Sequence, residues 1–214
     1  MDKFAHNRFL ALFDIMGFTD LVYRNPHKEV LEVIDKVRKF ADDVQASNTA
    51  SLIFPKIFSD SILFVSDGDT DEDFAKIVYN ADLFLGTMLE QGVPVKGAIS
   101  HGLFTAWHEK SIFVGRPLVD AYVLAKDLKF YGAIFHHTME KFIVRNTGVF
   151  STWISKGKIP MTEGRVEHAY LNLSGERVRV FNSPDYEVKL RRFYDTVSGP
   201  VRKYVDNTIE VYCQ

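Results

Sequence analysis

The sequence predicts an α+β fold, with an antiparallel or mixed sheet and helices packed on one face. Three features carry that expectation. Phe9-Leu10-Ala11-Leu12-Phe13 is a short, wholly apolar run, the pattern of a strand buried on both faces. Longer segments repeat apolar residues at helical spacing. The elements follow one another as β, α, ββ, α, β and then further α and β.

After the first strand, Gly17 breaks the run and Thr19 is placed to cap a short helix ending near Pro26. A longer helix is expected from His27 to Ala46, with Val30, Ile34, Val37, Phe40, Ala41 and Val44 as its stripe. Strands at Leu52–Phe58 and Ser61–Val65 meet at Ser59-Asp60. The acidic, turn-rich stretch Asp67 to Asp73 caps a second long helix, Glu72 to Glu90. Phe74, Ile77, Val78, Ala81, Leu85 and Met88 form its buried face, and Gly92 and Pro94 stop it. Val95–Ser100 is the next strand. Gly115-Arg116-Pro117 opens a third helix running to Lys129, followed by a strand at Ala133–His137.

Beyond Arg145 the pattern weakens. Strands at Ala169–Leu173 and Val178–Phe181 are expected to form a hairpin around Ser174-Gly175. Tyr186 to Asp206 is amphipathic and helical, with a break at Gly199-Pro200. No repeat, low-complexity tract or linker interrupts the chain. It reads as a single domain over residues 1–214, with a core at 8–145 and an elaboration at 146–214.

Composition narrows the function. The 214 residues are 46% hydrophobic and include 18 Phe, which is ample for a packed interior. A net charge of −2 supplies no global basic field, so neither nucleic acid nor a membrane is expected as a partner. The single cysteine, Cys213, leaves no internal disulfide and fits a reducing compartment. Met1 to Arg8 is polar, without a signal-peptide core, and Asp14 cuts the first apolar run. A soluble, cytoplasmic protein is expected.

Two aspartates stand out. Asp14 ends a buried apolar strand, where a lone carboxylate is expensive unless paired, protonated or bound to a cation. Asp60 lies at the turn of Lys56-Ile57-Phe58-Ser59-Asp60-Ser61. If the strands are neighbours, both carboxylates reach one edge of the sheet, a donor set suited to Mg²⁺ completed by substrate phosphates. Each residue also has a plainer reading, Asp14 as a turn cap and Asp60 as a hairpin residue. Gly17-Phe18-Thr19 adds a tight turn into a helix N-terminus, whose free N–H groups suit phosphate.

Other candidates read as structural. His136-His137 is a strand end without metal-ligand spacing. His101 and His108 can approach a site but read more simply as surface residues. Trp107 and Trp153 read as packing or interface residues. Lys189, Arg191 and Arg192 form a solvated helix face, and Lys156 and Lys158 are within conceivable reach of a triphosphate. Neither a Walker A pattern nor Gly-x-Gly-x-x-Gly is present.

Phe13-Asp14-Ile15-Met16-Gly17-Phe18-Thr19 resembles the opening motif of the class III adenylate and guanylate cyclase domain. Lys56-Ile57-Phe58-Ser59-Asp60-Ser61 resembles its second metal motif, in which the family usually has Lys-x-x-Gly-Asp-Ser. Lys96-Gly97-Ala98-Ile99-Ser100-His101-Gly102 resembles its Arg-x-Gly-Ile-x-x-Gly strand, and Val114-Gly115 its next landmark. The matches fall in order between Phe9 and Leu128; Tyr204-x-x-Asn207-Thr208 in the last helix is compatible. The resemblance implies a ferredoxin-like core and a homodimer with active sites in the cleft between subunits. It implies that Asp14 and Asp60 bind two Mg²⁺ or Mn²⁺ ions, assisted by the Ile15 carbonyl. Gly17, Phe18 and Thr19 would hold the triphosphate, and Lys56 would face the base.

The departures are specific. Where adenylate cyclases carry the acceptor that partners the lysine, this chain has Ile112, which accepts no hydrogen bond. The helix positions of the assisting Asn and Arg hold Val119 or Asp120, then Val123 or Leu124; Arg116 or Lys126 are the nearby substitutes. With Phe13-Asp14-Ile15-Met16-Gly17-Phe18, a Ser59-Asp60-Ser61 turn and Gly97-Ala98-Ile99-Ser100, the compact chain resembles instead the pyrimidine cyclases of bacterial Pycsar anti-phage defence. That resemblance implies a cUMP or cCMP product acting on a separate effector protein. A Lys56 donor suits the uracil O4 better than the cytosine amino group, so UTP is favoured over CTP, although O2 is common to both. The other readings are an adenylate cyclase making cAMP and a catalytically silent cyclase-like domain that binds nucleotide or dimerises.

Overall fold

A computed structural model describes residues 4–47, 49–173 and 186–213. The apolar run lies within β1 (Ala5–Ile15), in the middle of the sheet, and Phe9, Leu10, Ala11 and Phe13 are fully buried. Next come α1 (Phe18–Arg24), α2 (His27–Ser47), β2 (Lys56–Phe58), β3 (Ser61–Val65) and α3 (Asp71–Glu90). They are followed by β4 (Val95–Trp107), β5 (Ile112–Gly115), α4 (Arg116–Asp127) and β6 (Ala133–Phe135). The remaining elements are α5 (Glu140–Arg145), α6 (Thr147–Phe150), β7 (Ile154–Met161), β8 (Gly164–Leu171), α7 (Tyr186–Arg191) and α8 (Arg202–Tyr212).

Among the described residues the strands form one sheet in the order β2-β3-β1-β4-β6-β8-β7, with β5 paired to β4. All pairings are antiparallel except β4 with β6. Alternation along β1 divides its side chains between the two faces. Phe9 and Phe13 meet Phe74 and Phe84 of α3, and Phe40 of α2 packs on Phe84. Leu10, Leu12 and Asp14 point the other way.

The expected helix layer is thus α2 and α3, and α4 is an addition on the opposite face. Ser100 pairs with Leu10 and donates its hydroxyl to the Pro117 carbonyl at 2.7 Å, which pins the start of α4 to the Asp14 side. Gly97 permits the close approach of β4 to β1: a Cβ there would lie 2.6 Å from the Leu12 carbonyl oxygen.

Several elements differ from expectation for identifiable reasons. Leu52–Pro55 is not strand. Asn80 of α3 accepts from the Ile53 N–H and donates to the Ser51 carbonyl, taking the place of ladder bonds. Thr19 lies inside α1, whose N-cap is Gly17 at φ 74°, so the expected Thr19 cap is not made. α3 starts at a capping box between Thr70 and Asp73. β4 runs on to Trp107 and pairs with β5, which the sequence pattern did not reveal. The C-terminal hairpin is β7–β8, turning at Thr162-Glu163. Ala169–Leu171 ends its second strand, while Ser174-Gly175 and Val178–Phe181 lie outside the described residues. The break near Gly199-Pro200 is present, as a short 3-10 turn before α8. Among the described residues no helix is long and apolar enough to cross a membrane.

Candidate active site

β1 delivers Asp14 to the sheet edge opposite α2 and α3, half-buried beside the β2–β3 turn. Its register partner on β3 is Ser61, and the Ile15 N–H donates to the Asp60 carbonyl at 3.0 Å. That turn is tight: Ser59 sits at φ 55°, the left-handed region a glycine favours. It brings the Asp60 carboxyl near enough to Asp14 for their charges to interact.

Burial, then the nearby Asp60 charge, pushes the Asp14 carboxyl up to about 6, while Lys96 opposes the shift. A divalent cation would relieve the same crowding. Among the described residues no cluster of three His, Cys, Asp or Glu groups is placed to hold a metal. An ion held by Asp14 and Asp60 would therefore have to fill its shell from backbone carbonyl, water or substrate, as Mg²⁺ commonly does.

Lys96 is the group that sequence reasoning missed. It pairs with Asp14 across β1 and β4, is buried, and donates to the Lys126 and Leu128 carbonyls at 3.2 and 3.3 Å. Those acceptors lie at the C-terminal end of α4, where a cation is favoured. Burial holds the ammonium below the ordinary lysine range, and Asp14 counteracts it. The available signal was a lysine near the start of an otherwise apolar strand.

The Gly17 turn follows Asp14 directly, with Gly17 and Thr19 exposed and Phe18 half-buried against the core. No side chain caps α1 here. Lys56 pairs with Leu63, two positions along β3 from Ser61, and so shares the Asp14 face. Its ammonium stands 5.2 Å from the centre of the Phe54 ring. Thus Asp14, Ile15, Gly17 and Asp60 are brought together, and Lys56 lies further along the same face.

The helix positions are also resolved. Val119 and Val123 are each 60% exposed on the outer side of α4, with Tyr122 between them, so an apolar surface occupies the assisting slots. Asp120 instead faces Arg116 at 3.4 Å, and Leu124 packs on the core. His101 lies on the α3 side, bonded to Asp69 at 3.0 Å and packed between Phe9 and Phe142, away from Asp14.

No protein-family model matches the sequence, and no curated protein matches it. Solved structures do. The catalytic core of a rhodopsin-guanylyl cyclase with converted specificity, in complex with ATPalphaS, superposes with a TM-score of 0.59 at 14% identity. The match covers 78% of this chain and 98% of that one. The adenylyl cyclase CyaB from P. aeruginosa gives 0.53 at 14% identity, over 80% and 96% of the two chains. The monomeric guanylyl cyclase domain of the RhoGC fusion protein from the aquatic fungus Blastocladiella emersonii gives 0.56 at 14%, over 78% and 94%. The fold is that of the class III nucleotidyl cyclase catalytic domains. Within this cyclase fold, the aspartate pair and the Gly17 turn occupy one edge of the sheet.

Proposed function

We propose that the chain, as one catalytic domain over residues 1–214, is a pyrimidine nucleotide cyclase. It converts UTP, and less favourably CTP, into the 3′,5′-cyclic monophosphate and pyrophosphate. The observation that supports the cyclase part of this reading is the proximity of Asp14 and Asp60 at the sheet edge of a cyclase fold, while the base preference rests on Lys56 and Ile112.

Asp14 and Asp60, with the Ile15 carbonyl, would hold two Mg²⁺ or Mn²⁺ ions. When bound, these would supply Lewis acidity toward the ribose 3′-hydroxyl and the departing pyrophosphate. Cyclisation otherwise depends on positioning and charge, which the chain's own groups provide. The backbone of Gly17, Phe18 and Thr19 receives the triphosphate. Lys96 keeps a positive charge behind Asp14 and so favours its ionised form. Lys56 donates to the base, and the aliphatic Ile112 offers no acceptor for an adenine amino group.

The exposed apolar strip Val119-Tyr122-Val123 on α4 supports a homodimer with active sites between its subunits. One cyclase domain of similar fold is described as dimeric. By the motif resemblance, the product is a second messenger of bacterial anti-phage defence, made in the cytoplasm and acting on a separate effector. An adenylate cyclase is the second reading, supported by the adenylyl cyclase among the similar structures. The test is incubation of the purified protein with ATP, GTP, CTP and UTP separately, with Mn²⁺ or Mg²⁺ and product mass spectrometry. Cyclic UMP or CMP is expected; cyclic AMP as the main product would contradict the pyrimidine reading.

A further inference from the structure

A concavity lies at the β2 edge of the sheet, where Lys56 and the end of β3 meet the loop before β2 and Lys76 of α3. Its volume is about 210 Å³, and Phe54, Lys56, Val65, Asp67 and His108 are among its walls. Lys56 and Val65 stand on the Asp14 face by register, paired with Leu63 and Leu10. The space is small for a whole nucleotide and suits one ring system. Phe54, 45% exposed, offers an apolar surface there and holds the Lys56 ammonium by a cation–π contact.

His108 stands at the rim, in the turn between β4 and β5. Its ring is steadied edge-on by Phe113, with centroids 5.4 Å apart. Partial covering of the ring, then the cations of Lys56 and Arg8, holds the imidazole below its ordinary range, with Asp67 pulling weakly the other way. A neutral imidazole has one acceptor and one donor nitrogen. The nearby ammonium of Lys56 favours the lone-pair nitrogen on its own side. The walls of the concavity therefore carry a donor, Lys56, and an acceptor, His108. The uracil edge presents the complement, the O4 acceptor beside the N3–H donor; cytosine reverses both.

We propose that His108 is the specificity-determining partner of Lys56, accepting the N3–H of uracil while Lys56 donates to O4, so that UTP is selected over CTP. This rests on the cyclase reading and assigns the residue that sets its base preference.

The test compares kcat/KM for UTP, CTP and 3-methyluridine 5′-triphosphate, which lacks the N3 proton. Wild-type protein is expected to prefer UTP over both by at least about 10-fold, the scale of one lost hydrogen bond in a covered site. His108→Phe lowers the UTP value about 10- to 100-fold and leaves the other two within about 3-fold. His108→Asn, which keeps an acceptor, restores part of the preference. Equal use of UTP and its 3-methyl analogue by wild-type protein would overturn the assignment, and this arm needs no variant. An equal loss on all substrates in His108→Phe would also overturn it. Failure of the cyclase reading shows separately, as absence of any cyclic nucleotide. Calorimetric binding with Ca²⁺ then decides: UTP bound at least about 10-fold tighter than the analogue supports the contact, and equal affinity refutes it.

Discussion

Asp14 and Lys96 stand opposite each other across β1 and β4, and the Asp60 charge bears on Asp14 from the neighbouring turn. One carboxyl is therefore pulled in two directions. Burial and Asp60 favour its proton, whereas Lys96 favours its charge. The first influence is the larger.

This balance makes stability pH-dependent in a defined direction. The folded-state pKa of Asp14, about 6, lies above its ordinary 3.8, so the native state binds the proton more tightly than the unfolded chain. The stabilisation is complete below the ordinary value and is lost as pH rises through about 6. Asp14→Asn is expected to raise the melting temperature in chelator above that pH and to give no advantage near pH 4 (a level set by the unfolded pKa). Paired thermal melts across pH check this. An advantage independent of pH would show that Asp14 is not the titrating group.

Ser59 is expected to be improved by glycine. At φ 55° its side chain costs roughly 1–2 kcal/mol, against roughly 0.5–1 kcal/mol for the extra chain entropy of glycine. Ser59→Gly should therefore stabilise the protein by about 0.5–1 kcal/mol in denaturant unfolding.

Gly97 should tolerate nothing larger. The Cβ of Gly97→Ala meets the Leu12 carbonyl oxygen and the Phe13 ring, both at 2.6 Å, and neither strand can move without parting β1 from β4. A loss of about 1–3 kcal/mol is expected in the same measurement.

Much of this arrangement was legible in the sequence where one physical effect dominated. The apolar run of β1 and the stripes of α2 and α3 announced their buried faces, and Val37, Phe40, Phe74 and Ile77 are buried as expected. Asp14 and Asp60 stood out because a carboxylate at the end of an apolar strand needs a partner, and the structure supplies each with the other. What stayed hidden depended on partners distant in sequence. Leu52–Pro55 looks like strand, but Asn80 captures its backbone. The β7–β8 hairpin turns at Thr162-Glu163, a weaker turn signal than Ser174-Gly175, and exposes Lys156 and Glu167, so no apolar alternation marks it. Lys96 resembled a strand-start lysine until β1 placed Asp14 opposite and α4 brought its terminal carbonyls within reach.

The most direct test is cyclic-nucleotide formation by Asp14→Asn and Asp60→Asn beside wild-type protein, with Mn²⁺ and each triphosphate, after melts show that both variants are folded. The account predicts that each substitution alone lowers turnover at least about 100-fold, because neither carboxylate can hold the ions without the other. Turnover near the wild-type rate in either variant would contradict it.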